Sequence, residues 1–206
     1  RTDIAYPQYN EASRNDQYML GENVLVAPFD SAERLIPVPT EMLTDLSGGK
    51  GLTATYFNGT DHKNVAYTKT DPNVYFNWET KGPQGLGDDQ FSVRWEGKIT
   101  FGDKDGRLCL FADDGVRVWV DGKLVVDAWD VYDTMKYSDY YTAGTTHDIK
   151  VEYREDYGGA HVYMYYAERA EDGSMILNTR TVFIPDGTWI DVWTGERFRG
   201  PQTITV

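Results

Sequence analysis

Cysteine is almost missing from this chain: Cys109 is the only one in 206 residues, so no internal disulfide can form. It sits in the alternating stretch RLCLFA, where a small core residue is expected rather than a nucleophile. Basic charge is also scarce. Twenty Lys and Arg face 33 Asp and Glu, for a formal net charge of -13. A field of that sign disfavours nucleic acid and anionic membrane surfaces, both of which need a basic patch. No apolar run approaches the ~18 residues that a membrane-spanning helix requires. The three histidines, His62, His147 and His161, are isolated singles without zinc spacing, and structural or exposed roles are expected of them. The stretch Gly82 to Gly87 (GPQGLG) lacks the Lys-Ser/Thr of a phosphate-cradling loop.

What the chain does have is an unusual aromatic content, with 15 Tyr and 6 Trp, and a strong hairpin signal. In FADDGVRVWVDGKLVVDAW (Phe111 to Trp129), Asp121-Gly122 supplies the two positive φ angles of a type I′ turn. Val116, Val118 and Val120 point to one face, Arg117 and Trp119 to the other, and Leu124 and Val126 are expected to continue the apolar face. Ahead of the hairpin lies Asp113-Asp114-Gly115. Adjacent side chains of a regular strand point to opposite faces, so these two carboxylates can share an ion only from an irregular backbone. Such a pair suits Ca²⁺ before Mg²⁺. A polar turn without metal is the alternative.

Further strands are predicted at Leu52–Phe57, Phe91–Ile99, Leu108–Ala112, Lys123–Asp127, His147–Tyr153 and Ala160–Tyr166, with Asn58–Gln90 read as looped. Helical periodicity is absent here, and repeated short alternating runs between turn signals define an all-β antiparallel sandwich. Polar, Gly-rich junctions fall at Thr44–Gly51 and Glu168–Ser174. They divide the chain into residues 47–169 and two flanks, 1–46 and 170–206. In the flanks, Val24–Ala27 reads as a short strand stopped by Pro28. RLIPVP (Arg34 to Pro39) reads as an edge strand, because its prolines forbid a central one. Val182–Ile184, Trp189–Trp193 and Thr203–Val206 are read as strands separated by turns at Pro185-Asp186-Gly187 and Thr194-Gly195-Glu196.

The middle region resembles the PA-14 domain. The matching residues are GLTATYFNG (Gly51 to Gly59), FSVRWEGKI (Phe91 to Ile99), FADDGVRVWVDGKLVVDAW and IKVEYREDYGGAHVYMYY (Ile149 to Tyr166). The resemblance implies a β-sandwich. In carbohydrate-binding members, the adjacent aspartates carry a cis peptide and hold a calcium ion that also contacts sugar hydroxyls. Asp113 and Asp114 fall on that pair.

The flanks QYMLGENVLVAPF and RTVFIPDGTWIDVWTGERFRG resemble the small β-sandwich that follows the catalytic barrel in glycoside hydrolase family 31. This implies a PA-14-like sandwich inserted into a loop of a smaller β-sandwich, with its two ends close together. The first sixteen residues would then be the end of the barrel. Family 31 enzymes are retaining α-glycosidases that use two barrel carboxylates. No segment here resembles those motifs, so catalytic residues are expected to be absent from this chain. An extracellular or periplasmic bacterial location is implied by the same resemblance.

Sugar sites combine aromatic faces with polar groups that meet hydroxyls. The candidates are Trp129, Asp130 and Tyr132 in the post-hairpin stretch Trp129 to Asp133, Tyr140 and Tyr141 in an aromatic loop, and Tyr157 beside a Gly pair, together with Asp113 and Asp114. All three places are expected to converge on one end of the fold. The expected partners are a carbohydrate, the catalytic barrel of the same polypeptide and a second copy of the chain. Two other readings are carried: a ligand-free insert that shapes an active-site rim or dimer interface, and a calcium-dependent lectin or adhesin.

Overall fold

In the computed structural model, residues 8, 16–28 and 33–206 are described. Except for residues 8 and 16, the expected barrel end lies outside them. In chain order the strands are β1 (Tyr18–Leu20), β2 (Val24–Val26), β3 (Ile36–Pro37), β4 (Leu43–Asp45), β5 (Leu52–Asn58), β6 (Asn64–Asp71), β7 (Tyr75–Glu79) and β8 (Phe91–Thr100). They continue as β9 (Gly106–Asp113), β10 (Gly115–Val120), β11 (Lys123–Ala128), β12 (Lys136–Tyr137), β13 (Thr146–Glu155), β14 (Ala160–Glu168), β15 (Thr181–Ile190) and β16 (Arg197–Thr205). Among the described residues, helical geometry is confined to a 3₁₀ turn at Thr40–Met42. The protein is all-β.

The chain forms two compact units, Leu35–Ile176 and the paired flanks Arg1–Arg34 with Leu177–Val206. The larger unit contains two antiparallel sheets. One runs β11-β10-β13-β8-β5-β6, with β4 also on β8; the other runs β12-β9-β14-β3, with β7 also on β14. The first is the long sheet and the second the short sheet.

The core follows from alternation. Along β8, Val93, Trp95 and Ile99 are fully buried while Arg94 and Glu96 are only partly so. Val162 and Met164 of β14 and Val118 of β10 are likewise fully buried. The Trp95 indole and the Tyr56 hydroxyl both donate to Asp71 Oδ2, at 2.9 and 2.7 Å. Lys69 Nζ lies 2.9 Å from the other Asp71 oxygen, so this buried carboxylate is fully partnered. A Cβ at Gly97 would stand 2.2 Å from the Thr44 carbonyl oxygen, so β4 can cross β8 only at a glycine.

The compact units divide at residues 34/35 and 176/177, because β3 pairs with β14 and β4 with β8. Several expectations need correction. Residues 58–90 are not simply looped. Edge strand β6 is almost wholly exposed and shows no alternation, whereas β7 points Phe76 and Trp78 toward the core. In the hairpin, Asp121 and Gly122 both take positive φ as expected, but a bulge at Val118/Trp119 places Leu124 opposite Trp119. Leu124 is therefore 40% exposed and does not continue the apolar face, while Val126 does. Pro185-Asp186-Gly187 is a bulge inside β15 rather than a turn; β15 and β16 form one long ribbon turning at residues 191–196.

In the smaller unit, β1 pairs with β2 and β15 with β16, each antiparallel. An apolar cavity of about 470 Å³ there is lined by Val24, Val26, Ile184, Trp189, Trp193 and neighbouring residues. Trp193 is 91% exposed. An isolated antiparallel bridge joins Glu33 to Leu177, holding together the places where the chain leaves and re-enters this unit.

Candidate functional site

The Asp113-Asp114 peptide, between β9 and β10, is cis. Asp113 faces His161 across the β9–β14 ladder. The segment after β11 brings in Asp133, whose N–H donates to the Ala112 carbonyl at 2.9 Å. One ligand atom each of Asp113, Asp133 and His161 lies within 4.8 Å of the other two. His161 Nε2 sits 3.1 Å from Asp133 Oδ1. Asp114 Oδ2 accepts the Asp156 N–H at 2.6 Å and the Tyr157 N–H at 3.3 Å. Asp89 Oδ1 accepts the Gly158 N–H at 3.0 Å. A Cβ at Gly159 would lie 3.2 Å from Asp113 Oδ2, so the β13–β14 turn approaches that carboxylate as bare backbone.

Beneath these groups, Glu155 is fully buried at the end of β13. The Tyr153 hydroxyl contacts both Glu155 Oε2, at 2.8 Å, and the Asp113 carbonyl oxygen. Tyr153 is the donor in both contacts, its hydroxyl shared between the two acceptors. Burial pushes the Glu155 carboxyl up to about 8, and the charges of Asp114, Asp113 and Asp89 push the same way. Asp113 is also raised, by burial first and then by Asp114 and Asp133. Glu155 Oε1 is buried with no hydrogen-bond partner among the described residues.

The donor set fits a hard cation. Crowded carboxylates disfavour one another's charge, and burial adds to that penalty; a divalent ion relieves both. Asp113 and Asp114 supply oxygens of the type Ca²⁺ takes, whereas His161 supplies a nitrogen that Ca²⁺ does not favour. His161 Nε2 lies beside Asp133 Oδ1 without forming a hydrogen bond to it.

The predicted site residues separate into three places. Tyr157 is 74% exposed and directly beside Asp114, and Tyr132 is 65% exposed on the segment leading to Asp133. Trp129 is overlaid by the guanidinium groups of Arg117 and Arg154, 4.8 and 4.9 Å from its ring centroid, and Arg154 also bonds Asp130 at 3.1 Å. Both arginines belong to the long sheet, so Trp129 and Asp130 mark its side of the sandwich end. Tyr140 and Tyr141 do not converge with the rest. Tyr141 bridges to Gly106 and stacks on Phe101, with centroids 4.7 Å apart. Gly106 and Asp113 are the two ends of β9, about 23 Å apart at strand rise.

Sequence reasoning missed Asp89, Glu155 and His161, whereas Asp133 closes the post-hairpin stretch Trp129 to Asp133 that it singled out. Only strand register puts His161 opposite Asp113, and no local signal marks it.

Among the described residues, no helix is long and apolar enough to cross a membrane. Two antiparallel sheets with an acidic, aromatic end form a β-sandwich. The family model for the PA14 domain matches residues 48–179, and the chain belongs to that family. A curated relative, the anti-sigma-I factor RsgI3 of Acetivibrio thermocellus, is 37% identical over 110 residues, covering 50% of this chain and 17% of its own length. An anti-sigma factor domain-containing protein from Clostridium clariflavum has a solved structure that is 27% identical. It has a TM-score of 0.53 and covers 73% of this chain and 59% of that one. The family 31 α-xylosidase of Xanthomonas citri superimposes with a TM-score of 0.48 at 24% identity, over 65% of this chain and 16% of its own. A likeness of that size says nothing about the enzyme context, and the chain spans a minor part of the curated relative it matches.

Proposed function

We propose that the sandwich is a calcium-dependent carbohydrate-binding domain, with Asp113 and Asp114 holding the ion and Tyr132 and Tyr157 flanking it. The observation that carries this reading is the Asp113, Asp114, Asp133 and Glu155 cluster, crowded enough to raise two of its carboxyls and left with an orphan oxygen at Glu155. When bound, Ca²⁺ would offer open coordination positions to sugar hydroxyls. The protein's own part is to fix the carboxylates. Asp156 and Tyr157 N–H groups orient Asp114, and Gly159 leaves room beside Asp113. Tyr132 and Tyr157 then offer exposed rings on which a sugar face can stack.

The finer part of the proposal is that this domain serves a family 31 α-glycosidase without catalysing. Its support is the resemblance of PDGTWIDVWTGE (Pro185 to Glu196) to that family's post-barrel segment. The apolar cavity of the smaller unit would then pack on the barrel. A second reading follows from the RsgI3 match: the same sandwich would serve as the binding part of an anti-sigma factor. The reading frame upstream of Arg1 separates the two contexts, by a barrel of ~250 residues or its absence. Binding itself is tested on a glycan array with calcium or chelator. Signals that vanish with chelator and in Asp113→Asn support the proposal; signals indifferent to both reject it.

A further inference from the structure

The outer face of the short sheet carries an aromatic stripe that starts at the acidic cluster and leads away from it. His161, Tyr163 and Tyr165 alternate along β14 with buried Val162 and Met164, so all three point outward. Register sets Phe111 of β9 and Tyr75 of β7 on either side of Tyr163. The rings touch in sequence. Phe111 and His161 are 5.3 Å apart and nearly parallel at 16°; His161 and Tyr163 are 5.2 Å apart at 20°. Tyr75 lies 4.7 Å from Tyr163 and 5.6 Å from Tyr165. Tyr75 is 41% exposed, and the others are partly so.

From this we infer a second binding surface continuous with the first: the aromatic stripe of the short sheet holds a neutral polysaccharide chain running along β14, away from the Asp113 end. The inference rests on the carbohydrate reading above and extends it from one sugar to several. Charge selects the ligand class. The stripe begins among Asp113, Asp133 and Asp114 on a chain of net charge -13, which repels polyuronates, sulfated glycans and nucleic acid. Side-chain chemistry selects it again. The rings are mostly tyrosine, whose apolar bodies contact sugar C–H faces while their hydroxyls meet sugar hydroxyls. Asn77, which hydrogen-bonds Tyr163, adds an amide to the same row. Strand geometry sets the pitch: outward residues recur about every 6.8 Å, so the stripe offers successive contacts to an extended chain rather than one pocket.

The test is affinity electrophoresis of the 206-residue chain in calcium, through gels containing a neutral soluble polysaccharide: xyloglucan, arabinoxylan, mixed-linkage β-glucan, galactomannan or soluble starch. Parallel gels contain alginate or polygalacturonate. At least one neutral polymer should retard the wild type, with no retardation by the polyanions. Tyr75→Ala should weaken that retention fivefold or more, and Tyr75→Phe should restore most of it. The calcium-induced rise in melting temperature should be unchanged in both, which also establishes that they fold. Retention equal to wild type in Tyr75→Ala, retention by the polyanions alone, or no retention by any polymer would overturn the inference. Failure of the calcium site is read separately, as loss of the thermal shift in the wild type.

Discussion

The two outer faces of the sandwich share one core and differ in almost everything else. On the long sheet, charges come in partnered rows: Arg94 with Glu152, Arg117 with Asp127, and Lys150 both beside Glu152 and over the Trp119 ring. The end of the short sheet gathers carboxylates with too few cations. The electrostatics follow the same contrast. The Arg117 hydrogen bond holds Asp127 below the usual carboxylate range, and hydrogen bonds from Ser47, Thr70 and Gly49 bring Asp45 down to about 2. Asp113, at the end of β9, moves the opposite way, and so does Glu155, buried beneath it at the end of the long-sheet strand β13. Charge that has been neutralised internally leaves a surface nothing to recruit. Charge left in excess, on a backbone that fixes its position, makes a site.

The largest effect should come from what the faces share. Trp95→Ala removes a fully buried indole and leaves Asp71 short of a donor, so chemical denaturation should show a loss of about 3–5 kcal/mol. Survival of one face's properties in that variant would mean that the sheets do not depend on a common core. Next is the metal response. Calcium at a hundredfold excess over its dissociation constant should add about 2.7 kcal/mol to the wild type, and Asp113→Asn should abolish the gain while Asp127→Asn keeps it. Equal responses in the two variants would erase the distinction between the faces.

The pH profile should bend in opposite senses. Asp45 has a depressed folded value, so its contribution is present above pH 3.8 and disappears as pH falls toward 2; Asp45→Asn should flatten the acid side of a melting-temperature profile. Glu155 has a raised folded value, so with chelator its contribution is full below 4.5 and fades as pH rises through about 8; Glu155→Gln should flatten that side. A wild-type profile flat from pH 5 to 8 would contradict the second half. The smallest effect is expected on the long sheet's surface, where Asp127→Asn should cost at most about 1 kcal/mol and less in high salt. A larger loss would show that this face is more than solvated charge.

Much of this was legible along the chain, and the parts that were not share a cause. The 116–128 hairpin and the Asp113-Asp114 pair are local, since turn chemistry and alternation are written in adjacent residues. Leu124 escaped because a bulge changes register without changing composition. Edge strand β6 escaped because a strand with one partner and one wet face has no buried set to betray it. His161, Asp89 and Glu155 arrive at the site from three different segments, and their meeting is a property of pairing, not of spacing. The aromatic loop at Tyr140 and Tyr141 misled for the converse reason: it lies close to Asp133 in sequence, yet the chain between them travels the length of β9.

The bridge between Glu33 and Leu177 has an evolutionary corollary. Exit and return are only one interstrand spacing, about 5 Å, apart, so to the host unit the entire sandwich is topologically a hairpin connection. Ends this close together are what tolerated insertion of a folded body requires. Domain swaps that cut at 34/35 and 176/177 should therefore give soluble chimaeras, whereas cuts at 46/47 and 169/170 would strip β3 and β4 from the sheets they complete.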